Sequence, residues 1–256
     1  MTDIKTAFEN GKAFIPFVTA GDPDLDTTAK LLVGMSESGA DIIEIGIPFS
    51  DPIAEGIVIQ EADLRALSSG TTTDKIFDMV KDIRPQVKSA LAFMTYVNPI
   101  FAYGTDKFMA RCKECGISAV IVPDVPFEEK DELSGYCDKY GINLISLIAP
   151  TSNDRIKMIA KEAQGFIYCV SSMGVTGVRQ KITTDIGKMI ELVRSVSDIP
   201  CAVGFGVSTP EQAKHITESA DGVIVGSAIV KIVAQYGKDS VKPVCDYVRE
   251  MKYAIS

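Results

Sequence analysis

Short apolar runs alternate with longer amphipathic stretches along almost the whole chain. The short runs are nearly continuous in their apolar character, which is typical of parallel strands that are covered by helices. The longer stretches repeat apolar residues at helical spacing, as Leu31, Leu32 and Met35 do within the stretch 26–39. The pattern therefore predicts parallel strands that are joined by helices.

Eight strands are predicted, each followed by a helical segment. The strands are Phe14–Gly21, Asp41–Ile47, Ala90–Tyr96, Ala119–Asp124, Asn143–Pro150, Phe166–Ser171, Cys201–Gly206 and Gly222–Ile229. The helices are Asp26–Gly39, Thr73–Ile83 with Thr73 as N-cap, Thr105–Cys115, Glu128–Tyr140, Asn153–Ala163, Thr184–Val196, one that starts at Pro210, and a terminal region ending near Lys252. An N-terminal helix and a short extra helix after strand two, Val58–Leu67, are also predicted. These units predict an α/β fold, a single (β/α)8 TIM barrel that forms one domain over residues 1–256, with a doubly wound sheet as the alternative.

The charge balance narrows the possible partners. The 256 residues carry a formal net charge of -8, which argues against nucleic acid and anionic membranes as partners because both need a basic surface. The first ten residues lack the apolar core of a signal peptide, and no apolar run reaches the length of a membrane span. We therefore expect a cytoplasmic protein.

Cysteine and histidine contribute little predicted chemistry. Cys112 and Cys115 form a C-x-x-C pair, but no second pair follows at zinc spacing, so we interpret them as reduced thiols one turn apart on a helix. His215 is the only histidine and lies on a predicted surface helix. We expect no metal site, and catalysis would depend on carboxylates, hydroxyl groups and the backbone.

Glycine-containing turns follow the last three predicted strands. They lie at 173–177, at 204–208 and at Gly226 with Ser227. In TIM barrels the active site lies at the carboxyl ends of the strands, where such loops and a helix N-terminus often bind phosphate. Each glycine could instead serve only its turn. Together they favour a phosphorylated small molecule as ligand.

Two carboxylates stand out in the stretch IIEIGIPFSDPIAEG, from Ile42 to Gly56. Glu44 alternates with Ile43 and Ile45, so it should point into the barrel, where burial raises the pKa of a carboxyl group. Glu55 follows in a proline-rich loop. The alternatives are a strand acid paired across the barrel for Glu44 and a solvated loop acid for Glu55, and the local sequence does not decide the second.

The stretch IEIGIPFSDPIAEG resembles the signature of the tryptophan synthase α subunit family. Further blocks of that family's pattern lie in the same order along nearly the whole chain: FVTAGDPD, QEADLRAL, YVNPIF, VPDVPFEE, SSMGVTG, GFGVSTPEQ and GSAIVK. The resemblance implies a lyase that cleaves indole-3-glycerol phosphate to indole and glyceraldehyde 3-phosphate by a retro-aldol step, without a metal or organic cofactor in this chain. It makes Glu44 the acid at indole C3, which then takes the hydroxyl proton, and places Glu55 at the indole nitrogen.

The resemblance implies roles for further residues. Three aromatic residues match positions that border the indole site, namely Phe17, Tyr96 and Phe205, although any of the three could be barrel core and Phe17 equally so. Tyr168 matches a tyrosine near the substrate and Glu44, and Thr176 matches a threonine that orders the strand-six loop against the second acid. Gly177, Gly206, Gly226 and Ser227 match phosphate-binding positions. Asp51, Pro52, Asn98 and Pro99 match a contact surface for the pyridoxal-phosphate β subunit, which receives indole through a tunnel in an αββα heterotetramer.

The chain departs from the family pattern at the second acid. The usual residue there is Asp, whereas this chain has Glu55, and the usual Gly-Pro is Gly56-Ile57. The longer side chain should set the loop backbone back by about 1 Å. Two other hypotheses therefore stay open, a binding or regulatory α-like subunit with weak activity and a standalone indole-releasing lyase. A different phosphate-binding barrel, such as an isomerase or indole-glycerol phosphate synthase, is disfavoured because its catalytic Lys or Cys is absent from the strand ends.

Overall fold

Parallel strands that close into a barrel form the centre of the protein. The computed structural model describes residues 3–170, 186–204 and 206–256. The strands are β1 Ala13–Thr19, β2 Ile42–Gly46, β3 Ala90–Met94, β4 Ala119–Ile121, β5 Asn143–Leu144, β6 Ser146–Ile148, β7 Ile167–Val170, β8 Cys201–Gly204 and β9 Gly222–Val225. Their order in the sheet is β5-β4-β3-β2-β1-β9-β8-β7-β6, and every pair is parallel.

The sheet closes because β5 and β6 are consecutive pieces of one stretch. Only Ile145 separates them, and its N–H still donates to the Val120 carbonyl of β4 at 3.0 Å. The nine strands therefore correspond to the eight that the sequence predicts, with the fifth split between its two neighbours. Following the register around the ring gives a total shift of about eight residues, the shear of a TIM barrel.

Helices surround the strands in the order expected for a (β/α)8 barrel. They are α1 Leu25–Glu37, α2 Ile57–Ser68, α3 Thr73–Ile83, α4 Val97–Tyr103, α5 Thr105–Cys115, α6 Asp131–Tyr140, α7 Asn153–Glu162, α8 Ile186–Arg194, α9 Pro210–Thr217, α10 Ser227–Tyr236 and α11 Val241–Ile255. The extra helix after strand two is confirmed as α2. The predicted starts of α5 and α9 are also confirmed.

The predicted N-terminal helix is present as a single 3-10 turn, Lys5–Phe8, and the predicted terminal helical region consists of α10 and α11. Two details of the prediction were wrong. The N-cap of α3 is Thr72, whose side chain accepts from the Lys75 N–H, because Thr73 is already helical. Helix α4 was not predicted, since it contains Pro99, but a proline in the first turn lacks only an N–H that the helix does not use.

The apolar core has two layers, one outside the barrel strands and one inside them. The outer layer lies between strands and helices and includes Ile43 and Ile45 of β2. The inner layer fills the barrel with residues such as Ile42, Ala92 and Tyr168, and Ile4 and Ala7 of the N-terminal turn belong to it. Because side chains alternate along β2, Glu44 shares the inner face with Ile42.

Among the helices of the described parts of the chain, none combines the length and the apolar character that a membrane crossing requires.

Candidate active site

Glu44 lies inside the barrel. Its side chain is 1% exposed, and neither carboxyl oxygen has a hydrogen-bond partner within the described residues. Burial raises the pKa of Glu44 to about 8. The alternative of an acid that is salt-bridged across the barrel finds no support in the described part of the chain. A carboxyl group with this pKa can both give and take a proton near neutral pH.

Tyr168 on β7 is an aromatic neighbour of Glu44. It is 6% exposed, and burial together with the charge of Glu44 raises the pKa of its hydroxyl well above the usual value. Gly204 on β8 makes room for its ring, because a Cβ atom there would lie 2.5 Å from the Tyr168 Oη. The requirement for glycine at 204 was not recognised from the sequence.

Phe17 on β1 lies beside Glu44 in the register of the strands. A Cβ atom on Gly46 would lie 2.6 Å from the Phe17 Cζ, so the ring needs a glycine on the neighbouring strand. Phe17 also packs with Ile59 of α2 and Val230 of α10 in a small buried cluster. These are core contacts, and contact of the ring with a substrate stays a prediction.

The loop that carries Glu55 is held by side-chain contacts of its neighbours. The Ala54 N–H donates to the Tyr96 hydroxyl at 2.9 Å, and the Gln60 side chain donates to the Glu55 carbonyl at 2.7 Å. The rings of Phe49 and Tyr96 lie 5.6 Å apart. Tyr96 is therefore buried against this loop, and burial raises the pKa of its hydroxyl to about 12.

Glu55 meets a second carboxyl group, that of Asp63 on α2. The two side chains are in hydrogen-bonding contact, and the Phe49 N–H donates to Asp63. Burial raises the pKa of both groups, and the charge of Glu55 raises the pKa of Asp63 further. Glu55 is half-buried and Asp63 is 4% exposed, so Glu55 is not the solvated loop acid of the alternative interpretation.

Asp63 was missed in the sequence. The signal was its position on the buried face of α2, together with Ile59, Ala62 and Ala66, where an unpaired acid is expensive. A second buried acid, Asp22, lies near it and is bound by Arg65 of α2 through two contacts of 2.7 and 2.8 Å. Helix α2 is thus fixed to the loop after β1 at one point and to the loop after β2 at another.

The predicted phosphate positions that the structure describes lie after β8 and β9. Gly226 precedes α10, and no side chain caps this helix, so its first N–H groups can face an anion. Ser227 is half-buried, and Gly206 has a φ of +82°, which favours glycine. Gly177, and with it the predicted site residues Thr176 and Phe205, lie outside the described residues.

The predicted partner surface consists of Asp51 and Pro52, on the loop after β2, and of Asn98 and Pro99, on α4. Asp51 and Asn98 are exposed, and Pro52 and Pro99 are half-buried. A cleft of about 350 Å³ is lined by Ile47, Pro48, Phe49, Thr73, Asn98, Pro99, Ala102 and Tyr103. The large apolar side chains Ile53, on the loop after β2, and Ile57, at the start of α2, are 73% and 70% exposed. Such exposure is typical of a protein-binding surface.

Sulfur and imidazole groups have the surroundings expected from the sequence. Cys112 and Cys115 are free thiols buried on one face of α5. His215 lies on α9, is largely exposed and contacts Glu218. Within the described residues, no group of three or more acidic, histidine or cysteine side chains could hold a metal ion.

Comparisons with known proteins identify the family. The model of the family described as "Tryptophan synthase alpha chain" matches residues 4–255. The tryptophan synthase alpha chain of Lactiplantibacillus plantarum is 46% identical over 256 residues, which cover 100% of this chain and 97% of that relative. A structure of Mycobacterium tuberculosis tryptophan synthase is similar with a TM-score of 0.89 and 31% identity over 98% of this chain and 97% of that one. A structure of the tryptophan synthase α2β2 complex from Pyrococcus furiosus has a TM-score of 0.87 and 36% identity, over 94% and 98% of the two chains. The chain belongs to the tryptophan synthase alpha chain family.

Proposed function

We propose that the chain catalyses the α reaction of tryptophan synthase, the retro-aldol cleavage of indole-3-glycerol phosphate to indole and glyceraldehyde 3-phosphate. The observation that carries the proposal is Glu44. It is an acid fixed on a barrel strand, 1% exposed and without a hydrogen-bond partner in the described part of the chain. Its pKa of about 8 keeps it protonated at neutral pH until a substrate takes the proton.

Glu44 would serve in both proton transfers at the breaking bond. In the first, its carboxyl group donates a proton to C3 of indole, and the ring becomes an electron acceptor. In the second, the resulting carboxylate removes the proton of the glycerol hydroxyl next to C3. The electron pair of that O–H bond forms the aldehyde carbonyl, and the pair of the C–C bond returns to the ring as indole leaves.

Glu55 would act at the indole nitrogen. Protonation at C3 places positive charge on that nitrogen, and a carboxylate near its N–H stabilises the charge. The loop contacts of Ala54 with Tyr96 and of Gln60 with the Glu55 carbonyl hold the acid beside the barrel mouth. The contact with Asp63 would accommodate the extra methylene of Glu relative to Asp.

The phosphate of the substrate would bind opposite the acids. Gly226 and Ser227 offer the uncapped N-terminus of α10, which attracts an anion through its N–H groups and its dipole. Gly206 and Gly177 would complete the binding loops. Phe17, Tyr96, Tyr168 and Phe205 would border the indole ring, and Thr176 would order the loop after β7 against the second acid.

A β subunit would bind the surface formed by the loop after β2 and by helix α4, which follows β3. The tryptophan synthase α2β2 complex of Pyrococcus furiosus, whose structure is similar to this chain, shows mutual activation. Asp51, Pro52, Asn98 and Pro99 would belong to the contact, together with the exposed Ile53. Pyridoxal phosphate would belong to the β subunit, and this chain would work in the cytoplasm as one barrel domain.

An indole-release assay tests the proposal. Purified chain is incubated with indole-3-glycerol phosphate with and without a β subunit. The proposal expects slow indole release by the chain alone and faster release in the complex. Release only by the complex, with Glu44→Gln as active as the unchanged chain, would support a binding subunit instead. Equal rates with and without the partner would support a standalone lyase.

A further inference from the structure

The proposed reaction does not explain one feature of the site, the contact between the carboxyl groups of Glu55 and Asp63. Glu55 is one of the two acids of that reaction, but the reaction as proposed gives Asp63 no role, and Asp63 lies on the buried face of α2. An unpaired carboxylate at a position that is 4% exposed is costly, and a neighbouring negative charge increases the cost. The pair should therefore hold a proton.

The hydrogen bonds around the pair show where that proton is needed. Glu55 Oε2 is buried, and no N–H or O–H group of the described residues donates to it. The Phe49 N–H donates to Asp63, and Asp63 in turn contacts Glu55. A proton between the two carboxyl groups supplies the donor that the Glu55 oxygen lacks.

Among the described residues, the charged and titratable groups that face the pair supply no cation to it. From the loop after β1, Asp22 faces the pair, but its carboxylate is bound by Arg65. Just before α4, the Tyr96 hydroxyl faces Glu55 and accepts the Ala54 N–H. Within this part of the chain, the charge of the pair must therefore be neutralised by the shared proton.

We propose that Asp63 is a positioning residue for Glu55, to which it is joined by one shared proton. This inference rests on the proposed function for its catalytic meaning. Asp63 connects the loop to α2 at two points, through the Phe49 N–H and through the Glu55 side chain, and so fixes the catalytic carboxyl group at the barrel mouth. Glu rather than Asp at position 55 supplies the length that this contact uses.

The pH dependence of kcat/KM for indole release tests the shared proton. Asp63→Ala removes the donor that lowers the pKa of the Glu55 carboxyl group, so that pKa should rise further. The acid limb should move to higher pH, while the basic limb, set by Glu44, stays in place. Glu61→Gln on the exposed face of the same helix should leave the profile unchanged. An acid limb that is the same in all three proteins would overturn the proposal.

A double-mutant cycle tests the positioning. Asp63→Ala should lower kcat/KM about tenfold or more in the unchanged chain and much less in the background of Glu55→Asp, whose shorter side chain has already lost the contact. Equal losses in both backgrounds would contradict a role that acts through Glu55.

Carbon-13 titration of the Glu55 and Asp63 carboxyl groups separates this inference from the proposed function. In the substrate-free protein, one carboxyl of the pair should stay protonated well above pH 5, and Asp63→Asn should abolish this. Independent titration of both groups in the ordinary range would refute the pair even in an active enzyme. A chain that releases no indole would refute the proposed function, while the titration would still decide on the pair.

Discussion

Glu44 and Glu55 lie eleven positions apart, yet the protein holds them by different means. Glu44 is fixed by a strand whose backbone is paired on both sides, with Phe17 and Ala92 as its register neighbours. Glu55 lies on a loop, and its surroundings are hydrogen bonds from side chains and a second acid. The first acid depends on the barrel itself, whereas the second depends on how a loop lies against α2.

This difference determines which structural changes can alter the pKa of each acid. The pKa of Glu44 is raised by burial alone, so it should be insensitive to changes in the loop. The pKa of Glu55 is raised by burial and depends on its contact with Asp63. A partner that binds near Asp51 could alter the second acid without moving the first.

The largest expected effect is on the chemistry at Glu44. Glu44→Gln keeps the size of the side chain but cannot donate and then accept a proton, so indole release should fall by about 10²- to 10⁴-fold with little change in KM. Steady-state kinetics of the complex with a β subunit measure it. Retention of most of the activity would remove Glu44 from the proton transfers.

The same substitution should stabilise the folded chain at high pH. Because the folded pKa is about 8 and the ordinary value is 4.5, stability is fully present below about pH 4.5 and declines as the pH rises toward 8. Glu44→Gln has no such decline, so its advantage should grow from nearly zero at pH 4.5 to on the order of 4 kcal/mol at pH 8. Urea unfolding at several pH values checks this, and a gap that does not change with pH would contradict it.

The loop acid should tolerate more change than the strand acid. Glu55→Ala should lower kcat/KM by about 10- to 10³-fold, because the positive charge on the indole nitrogen loses its counterion. Glu55→Asp keeps the charge but loses the contact with Asp63, so it should lower kcat/KM only about tenfold, as Asp63→Ala does. If Glu55→Ala matched the unchanged chain, Glu55 would be a bystander and the contrast between the two acids would fail.

The smallest expected effect concerns the packing around Glu44. Gly204→Ala places a Cβ atom 2.5 Å from the Tyr168 Oη and should destabilise the fold by about 1–3 kcal/mol. Gly135→Ala, in helix α6 with nothing within 4 Å of the new atom, is the matched control and should stabilise by about 0.5–1 kcal/mol. Thermal unfolding of both variants would show whether glycine at 204 serves the tyrosine.

The barrel and the strand acid could be read from the sequence because both depend on local periodicity. Alternation along β2 placed Glu44 inside, and continuous apolar runs placed the strands. Helix α4 was not predicted because Pro99 suggests a break in the helix, although a proline in the first turn causes none. The split of the fifth strand at Ile145 follows from closure of the whole ring, which no local pattern records.

The contact of Glu55 with Asp63 could not be predicted for a different reason. The two residues belong to a loop and a helix, and their distance depends on the path of the loop from Phe49 to Glu55. The buried position of Asp63 on α2 could be read from helical spacing, but the identity of its partner could not. Contacts of this kind, between a loop residue and a helix residue, can be identified only from the folded backbone.

Direct titration of the Glu44 carboxyl group tests the central claim. Carbon-13 NMR of the substrate-free chain with labelled glutamate, assigned by comparison with Glu44→Gln, gives its pKa. The structure predicts a value of about 8, unchanged by Asp63→Asn. A value near the ordinary 4.5 would mean that Glu44 is ionised at neutral pH, and the proposed donation of its proton to indole C3 would be contradicted.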